Sequence, residues 1–263
     1  MTMNEHEELL AGGNVSHVYR SGKTVRREQK PESAMIHKLL IHLEQKGFPH
    51  APRFLGMDEQ GREVLSFIEG EAGHYPLKDY MWSDASLIDI ANMLRLYHEA
   101  VQDFPFMNEL KPIDHTPGEA EVVCHNDFAV YNIIFNGQKP VGIIDFDVAG
   151  PGPKMWDAAY TLYTCLPLSR FYLSEAEETV HYDSLLHAER VKKRMALFFE
   201  AYGEEMPPTF FDIVQLRLEG LCQTIKRKAG EGDPAFQKMV EEGHLSHYKA
   251  DIEFVRKHHH EWV

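Results

Sequence analysis

His125-Asn126-Asp127-Phe128-Ala129-Val130-Tyr131-Asn132, followed by Ile143-Ile144-Asp145-Phe146-Asp147, is the stretch that decides how this 263-residue chain is read. Asn132 leads into the apolar run Ile133-Ile134-Phe135, and Asp145 ends the run Val141-Gly142-Ile143-Ile144. Asn136-Gly137 between the runs is a turn pair, so the spacing predicts strand, turn, strand. Asp127 and Asn132 then lie in the loop that enters the hairpin, and Asp145 lies at its exit. Phosphoryl transfer has a use for such a set, because its loose transition state is catalysed mainly by positioning and charge neutralisation. One carboxylate must orient the acceptor hydroxyl and can take its proton. An amide oxygen and a second carboxylate are hard donors suited to Mg²⁺ beside the phosphates.

Upstream of this stretch, extended runs at 8–11, 17–20, 24–27, 53–55 and 63–67 alternate with turn residues. Pro31-Glu32-Ser33 opens a helix that runs to Lys46 and stops at Gly47, with Pro31 in the first turn where its missing donor costs nothing. From Ser83 the apolar period is helical: Leu87, Ile90, Ala91, Leu94, Tyr97, His98 and Val101 share one face. After Pro151-Gly152-Pro153 the rest reads as helices at about 155–165, 187–202, 210–229 and 234–258. The expected fold is α+β, with a small β-rich lobe over residues 1–70 and a larger, mainly helical lobe over 71–263.

Charge and cysteine usage narrow the function. The chain has 27 basic and 41 acidic residues, a net charge of −14 with neutral histidines. That balance disfavours nucleic acid and anionic membranes as partners and suits a cationic small molecule. Cys124, Cys165 and Cys222 are too few and scattered for a disulfide framework or a zinc site. The first eight residues are acidic where a signal peptide is basic and then apolar, and no apolar run approaches the about 18 residues of a membrane span. A cytoplasmic protein is expected.

His125-Asn126-Asp127 with Asn132 and Asp145-Phe146-Asp147 resembles the aminoglycoside phosphotransferase-like family of phosphotransferase enzymes, which has a protein-kinase-like fold. The resemblance extends to the Gly12-Gly13-Asn14 loop, the strand with Arg26 and Arg27, the hinge at Ser66, Phe67 and Ile68, and Trp156-Asp157. It implies that Asp127 is the catalytic base, that Asn132 and Asp145, with Asp147 of the D-x-D, hold Mg²⁺, and that Asp157 supports the catalytic loop. It implies ATP or GTP as cofactor, held by the glycine loop, the third strand and the hinge, and a hydroxylated small molecule as acceptor, an aminoglycoside-like antibiotic being the family's leading example. Asn126 stands where the family has glycine. Gly12-Gly13-Asn14 lacks the full G-x-G-x-x-G. Where kinases carry a lysine on the third strand, this chain offers Arg26 and Arg27. Alternation puts Arg27 on the face of Val25, and it is the expected phosphate contact. The partner glutamate on the following helix is missing, with Ile36 or His37 near its place and Glu32 a turn early.

A second reading is a catalytically silent protein of this fold that confers immunity to a toxin or peptide antibiotic; the Arg27 substitution and the missing glutamate motivate it. A protein kinase is disfavoured, because no A-P-E follows and the interval from Asp147 to Trp156 is too short for an activation loop. His98 reads as a hydrogen-bonded core histidine, His258-His259-His260 as a solvated helix end, and Cys124 as a buried residue entering the loop. Glu175, Glu177, Glu178 and Asp183 are expected at a solvated helix start, with contact to a cationic acceptor as the sharper alternative.

Overall fold

The computed structural model describes residues 7–10 and 18–263. The chain opens with β1 (Glu8–Leu9), β2 (Val18–Ser21) and β3 (Thr24–Arg27), then α1 (Ser33–Gln45), β4 (Phe54–Met57) and β5 (Glu63–Ser66). The strands form one antiparallel sheet in the order β1-β2-β3-β5-β4. In its register Arg27 lies opposite Glu63 and Val25 opposite Leu65, so Arg27 and Glu63 share the face that packs inward. α1 buries Ile36, Leu39, Leu40 and Leu43, the spacing of one helical face.

β6 (Glu71–Ala72) carries the chain into the second lobe, where a 3₁₀ turn (Asp79–Trp82) precedes α2 (Asp84–Val101). Ser83 caps α2 by accepting from the Ser86 N–H at 3.1 Å. All seven residues expected on its apolar face are buried, His98 included. β7 (Val122–Cys124), β8 (Ile133–Asn136), β9 (Lys139–Ile143) and β10 (Gly150–Gly152) follow, with β6-β8-β9 as one small sheet and β7-β10 as another. The remainder comprises α3 (Lys154–Cys165), the hairpin β11 (Phe171–Leu173) and β12 (Thr179–His181), then α4 (Ser184–Tyr202), α5 (Phe210–Gly230), α6 (Pro234–Glu241) and α7 (His244–His258). The small sheet-bearing lobe and the larger helical one therefore stand as expected.

Two local expectations fail. The segment after Cys165 is not helical throughout, because Phe171-Tyr172-Leu173 pairs with Thr179-Val180-His181. Glu175, Glu177 and Glu178 accordingly sit at a hairpin tip rather than a helix start, with Glu177 at φ +62°. The single helix expected over 234–258 is two, because Gly243 adopts φ +83° and begins a new helix at His244.

Candidate active site

Asp157 ties the central loop down. Wholly buried near the start of α3, its two oxygens accept the backbone N–H groups of His125 and Asn126, each at 2.7 Å. His98 donates Nε2–H to the same carboxylate at 3.1 Å, and the Tyr202 hydroxyl donates to His98 Nδ1 at 2.7 Å. A buried charge with three donors is a satisfied one, and the loop it holds cannot drift. Asn126 adopts φ +65°, which asparagine tolerates better than most side chains, and donates to the Val148 carbonyl at 2.8 Å. A Cβ on neighbouring Gly150 would meet the Lys111 carbonyl at 2.3 Å, so the strand can pass there only as glycine. The His125 ring packs on Phe146 with centroids 4.5 Å apart, joining the loop to the Asp145-Phe146-Asp147 segment.

Both oxygens of Asp127 are oriented. Tyr131 donates its hydroxyl to Oδ1 at 2.6 Å, and Asn132 donates Nδ2–H to Oδ2 at 2.8 Å and to the Asp127 carbonyl at 3.0 Å. Tyr160 lies 2.9 Å behind the Tyr131 hydroxyl. Burial, only partly offset by those donors, pushes the Asp127 carboxyl above the usual aspartate range. Because the Asn132 amide nitrogen is spent on Asp127, its oxygen is the end left to act as an acceptor or ligand.

Asp145 also has positive φ, +67°, in a sparsely populated region that holds only when its surroundings impose it. The Ile144 N–H donates to the Asn132 carbonyl at 3.0 Å, so the segments bearing Asn132 and Asp145 are hydrogen-bonded neighbours. Half of the Asp145 side chain is open. Desolvation, then repulsion from Asp147 and Asp127, pushes its carboxyl up. Excess negative charge on open oxygens, beside a free amide oxygen, is a donor set that fits a hard divalent cation. Asp147 does not offer the same: Arg27 donates to both of its oxygens, at 2.6 and 3.1 Å, and Lys30 to one at 2.6 Å. Those cations outweigh desolvation and hold its carboxyl below the usual range. Among the described residues no cluster of three or more His, Cys, Asp or Glu side chains could hold a metal.

Arg27, rather than Arg26, faces this centre. Burial works against its charge, but Asp147 and Glu63 raise its pKa above the ordinary arginine value. Glu63, 1% exposed, is hydrogen-bonded by Arg27 on one oxygen and by the His37 ring on the other. The missing helix glutamate is thus replaced by a strand glutamate, and His37 of α1 completes the chain Arg27–Glu63–His37. Arg26 lies on the opposite face near Asp58, 3.9 Å away. Glu63 and Lys30 escaped the sequence reading; a charged residue on the same strand face as Leu65, opposite Arg27, was the available signal for Glu63. Arg217 was also missed. Reaching in from α5, it donates to the Asn126 carbonyl and lies 4.2 Å over the Tyr160 ring.

At the hinge, Ser66 accepts from the Arg53 N–H at 2.8 Å, and the Phe67 N–H donates to the Lys23 carbonyl at 2.9 Å. Ile68 packs against Gly142 of β9. Gly12, Gly13 and Asn14 lie outside the described residues. Glu175 accepts from the Asp79 N–H at 2.8 Å, and Asp183 caps α4 through the Leu185 N–H, so both have structural work.

A protein-family model, the phosphotransferase enzyme family, matches residues 96–191, which include the loop, the hairpin and α3. The GDP and kanamycin complex of APH(2")-IIia superposes with a TM-score of 0.62 at 15% identity, covering 94% of each chain. A choline/ethanolamine kinase family protein from Mesorhizobium loti gives 0.63 at 15% identity, covering 96% of this chain and 93% of that one. This is the aminoglycoside phosphotransferase fold. Sequence similarity adds a trifolitoxin immunity protein of Rhizobium leguminosarum bv. trifolii, 41% identical over 155 residues. That match takes in 57% of this chain and 58% of the relative, less than two thirds of its length. No helix among the described residues is long and apolar enough to cross a membrane.

Proposed function

We propose that this chain is a phosphotransferase that moves the γ-phosphoryl group of ATP or GTP, with Mg²⁺, onto a hydroxyl of a small molecule in the cytoplasm. The observation that carries the reading is Asp127: both oxygens are fixed by Tyr131 and Asn132, and Asp157 fixes the loop beneath them. Each Asp127 oxygen keeps a lone pair for an incoming hydroxyl. A carboxylate made more basic by burial is better suited to take that hydroxyl's proton than an exposed one. Asn132, through its free amide oxygen, and Asp145 would hold Mg²⁺, which when bound neutralises charge on the phosphates. Arg27 and Lys30 are the cations paired with Asp147 beside Asp145, and either can turn from Asp147 to a phosphate oxygen. The net charge of −14 favours a cationic acceptor, consistent with the kanamycin bound by one structural relative.

A second reading has one observation in its favour, the immunity protein among its relatives. In it the chain protects a cell from a toxin or peptide antibiotic by binding alone. The two readings part on one experiment: nucleotide consumption with a panel of hydroxylated amines, sugars and antibiotics, comparing wild type with Asp127→Asn. Turnover that needs Asp127 supports transfer. Protection of toxin-treated cells that survives Asp127→Asn supports binding.

A further inference from the structure

A cavity of about 250 Å³ lies between the Asp79–Trp82 turn, the β11 strand and the first half of α4, and it shares no residue with the site around Asp127. Trp82, Phe171, Tyr172, Tyr182 and Val191 supply apolar walls, while Arg190 and Arg194 supply charge. Arg194 is 3% exposed, and among the described residues its Nη2 has no partner while its Nε has an ion pair but no well-formed hydrogen bond. Among the described residues its one ion pair is with Asp84, with Oδ1 3.2 Å from Nε and a side chain 46% exposed. Trp82 Nε1 is a second buried donor without a partner. Orphaned buried donors are uncommon, and here they are on residues that line a cavity.

The surrounding charge sharpens this. In a chain of net charge −14, α4 carries His187, Arg190, Lys192, Lys193 and Arg194 against one acid, Glu189, within about two turns. Burial and then repulsion from Arg190 depress the Arg194 pKa below the ordinary arginine value. Of the two guanidiniums lining the cavity, only that of Arg194 is paired with a carboxylate among the described residues, which leaves positive charge that a bound anion would relieve. Asp79 also lines the cavity but is exposed at its edge. The His187 Nδ1 accepts the Asp183 N–H at 2.9 Å, leaving Nε2 as a further donor.

We propose that this cavity binds an organic anion, a carboxylate carried on a flat apolar body, with the carboxylate on Arg194 and Arg190 and the body laid against the Trp82 and Tyr172 rings, whose centroids are 5.5 Å apart. The donors alone select for acceptor groups, and the aromatic walls select against a bare inorganic ion. The cavity shares no lining residue with the centre around Asp127, so binding there does not depend on the proposed transfer reaction.

Isothermal titration with indole-3-acetate, indole-3-acetamide, and inorganic phosphate tests it. Indole-3-acetate should bind one per chain, the neutral amide and phosphate at least roughly tenfold more weakly, the scale of one lost charge-assisted contact. Arg194→Met should weaken indole-3-acetate by a similar factor. Arg190→Ala, at an exposed position that leaves the fold alone, should weaken it less but measurably, and Asp127→Asn should not affect it. No binding by indole-3-acetate, equal binding of acid and amide, equal binding of phosphate, or full affinity in Arg190→Ala would each overturn the proposal, as would loss of binding in Asp127→Asn.

Discussion

Arg27 on β3 holds both oxygens of Asp147, at 2.6 and 3.1 Å, across 120 residues of sequence. The same guanidinium holds Glu63 on the adjacent strand, so one side chain links the sheet of the first lobe to the hairpin exit of the second. Glu63 in turn takes the His37 ring, and the wall above the centre is an ionic chain rather than an apolar one.

Arg27→Met tests that chain through stability. It leaves the Glu63 carboxylate buried without its cation, a change that costs about 3–5 kcal/mol in comparable buried pairs. Urea unfolding should show a loss on that scale, and Arg26→Met on the opposite face should cost well under half as much. Equal losses for the two would mean that Glu63 draws no stability from Arg27.

Asp145→Asn should weaken Mg²⁺-dependent nucleotide binding by roughly tenfold or more, the least expected when a ligand is lost. Asparagine tolerates the φ of +67° that Asp145 adopts, so the fold should persist. Calorimetric titration of ATP and GTP with and without Mg²⁺ checks this; unchanged affinity removes Asp145 from the cation site.

The pH profile follows from Asp127. Its folded carboxyl titrates above the ordinary value of 3.8, and only the ionised form can accept a proton. The acid limb of kcat/KM for any accepted substrate should therefore lie above that value. The same raised pKa opposes folding once pH rises through it, because the unfolded carboxyl then ionises more readily. A limb at or below the ordinary aspartate value would contradict the environment assigned to Asp127.

Asp157→Asn should slow turnover far more than it weakens nucleotide binding. The His125 and Asn126 N–H groups go to different oxygens of Asp157, so with asparagine there one of them would face an NH₂ donor. A loop freed by about 1 Å costs on the order of 10²-fold in rate. Steady-state kinetics beside calorimetry separates the two effects, and a proportional loss in both would make Asp157 a general stability residue.

The loop and hairpin were legible because each polar residue there borders an apolar run, and the α2 face because seven residues repeat at helical spacing. Strand alternation also placed Arg27 on its inward face. The rest depends on contacts distant in sequence. Glu63 is ordinary until the β3–β5 register sets it opposite Arg27. Lys30 gains meaning only when folding brings Asp147 to it, 117 residues on. The β11–β12 hairpin was hidden because its strands are three residues each, too short for a period to register. Glu175 was expected at a helix start because nothing local shows its carboxylate turning back to the Asp79 N–H.

Asp127-dependent transfer is tested most directly by following γ-³²P from labelled ATP and GTP, with Mg²⁺, into a panel of hydroxylated amines, sugars and antibiotics. Wild type should label at least one acceptor, and Asp127→Asn should bind nucleotide with the same affinity while labelling none. Equal labelling by wild type and Asp127→Asn, or a wild type that binds neither nucleotide at millimolar concentration, would contradict a phosphotransferase built on Asp127.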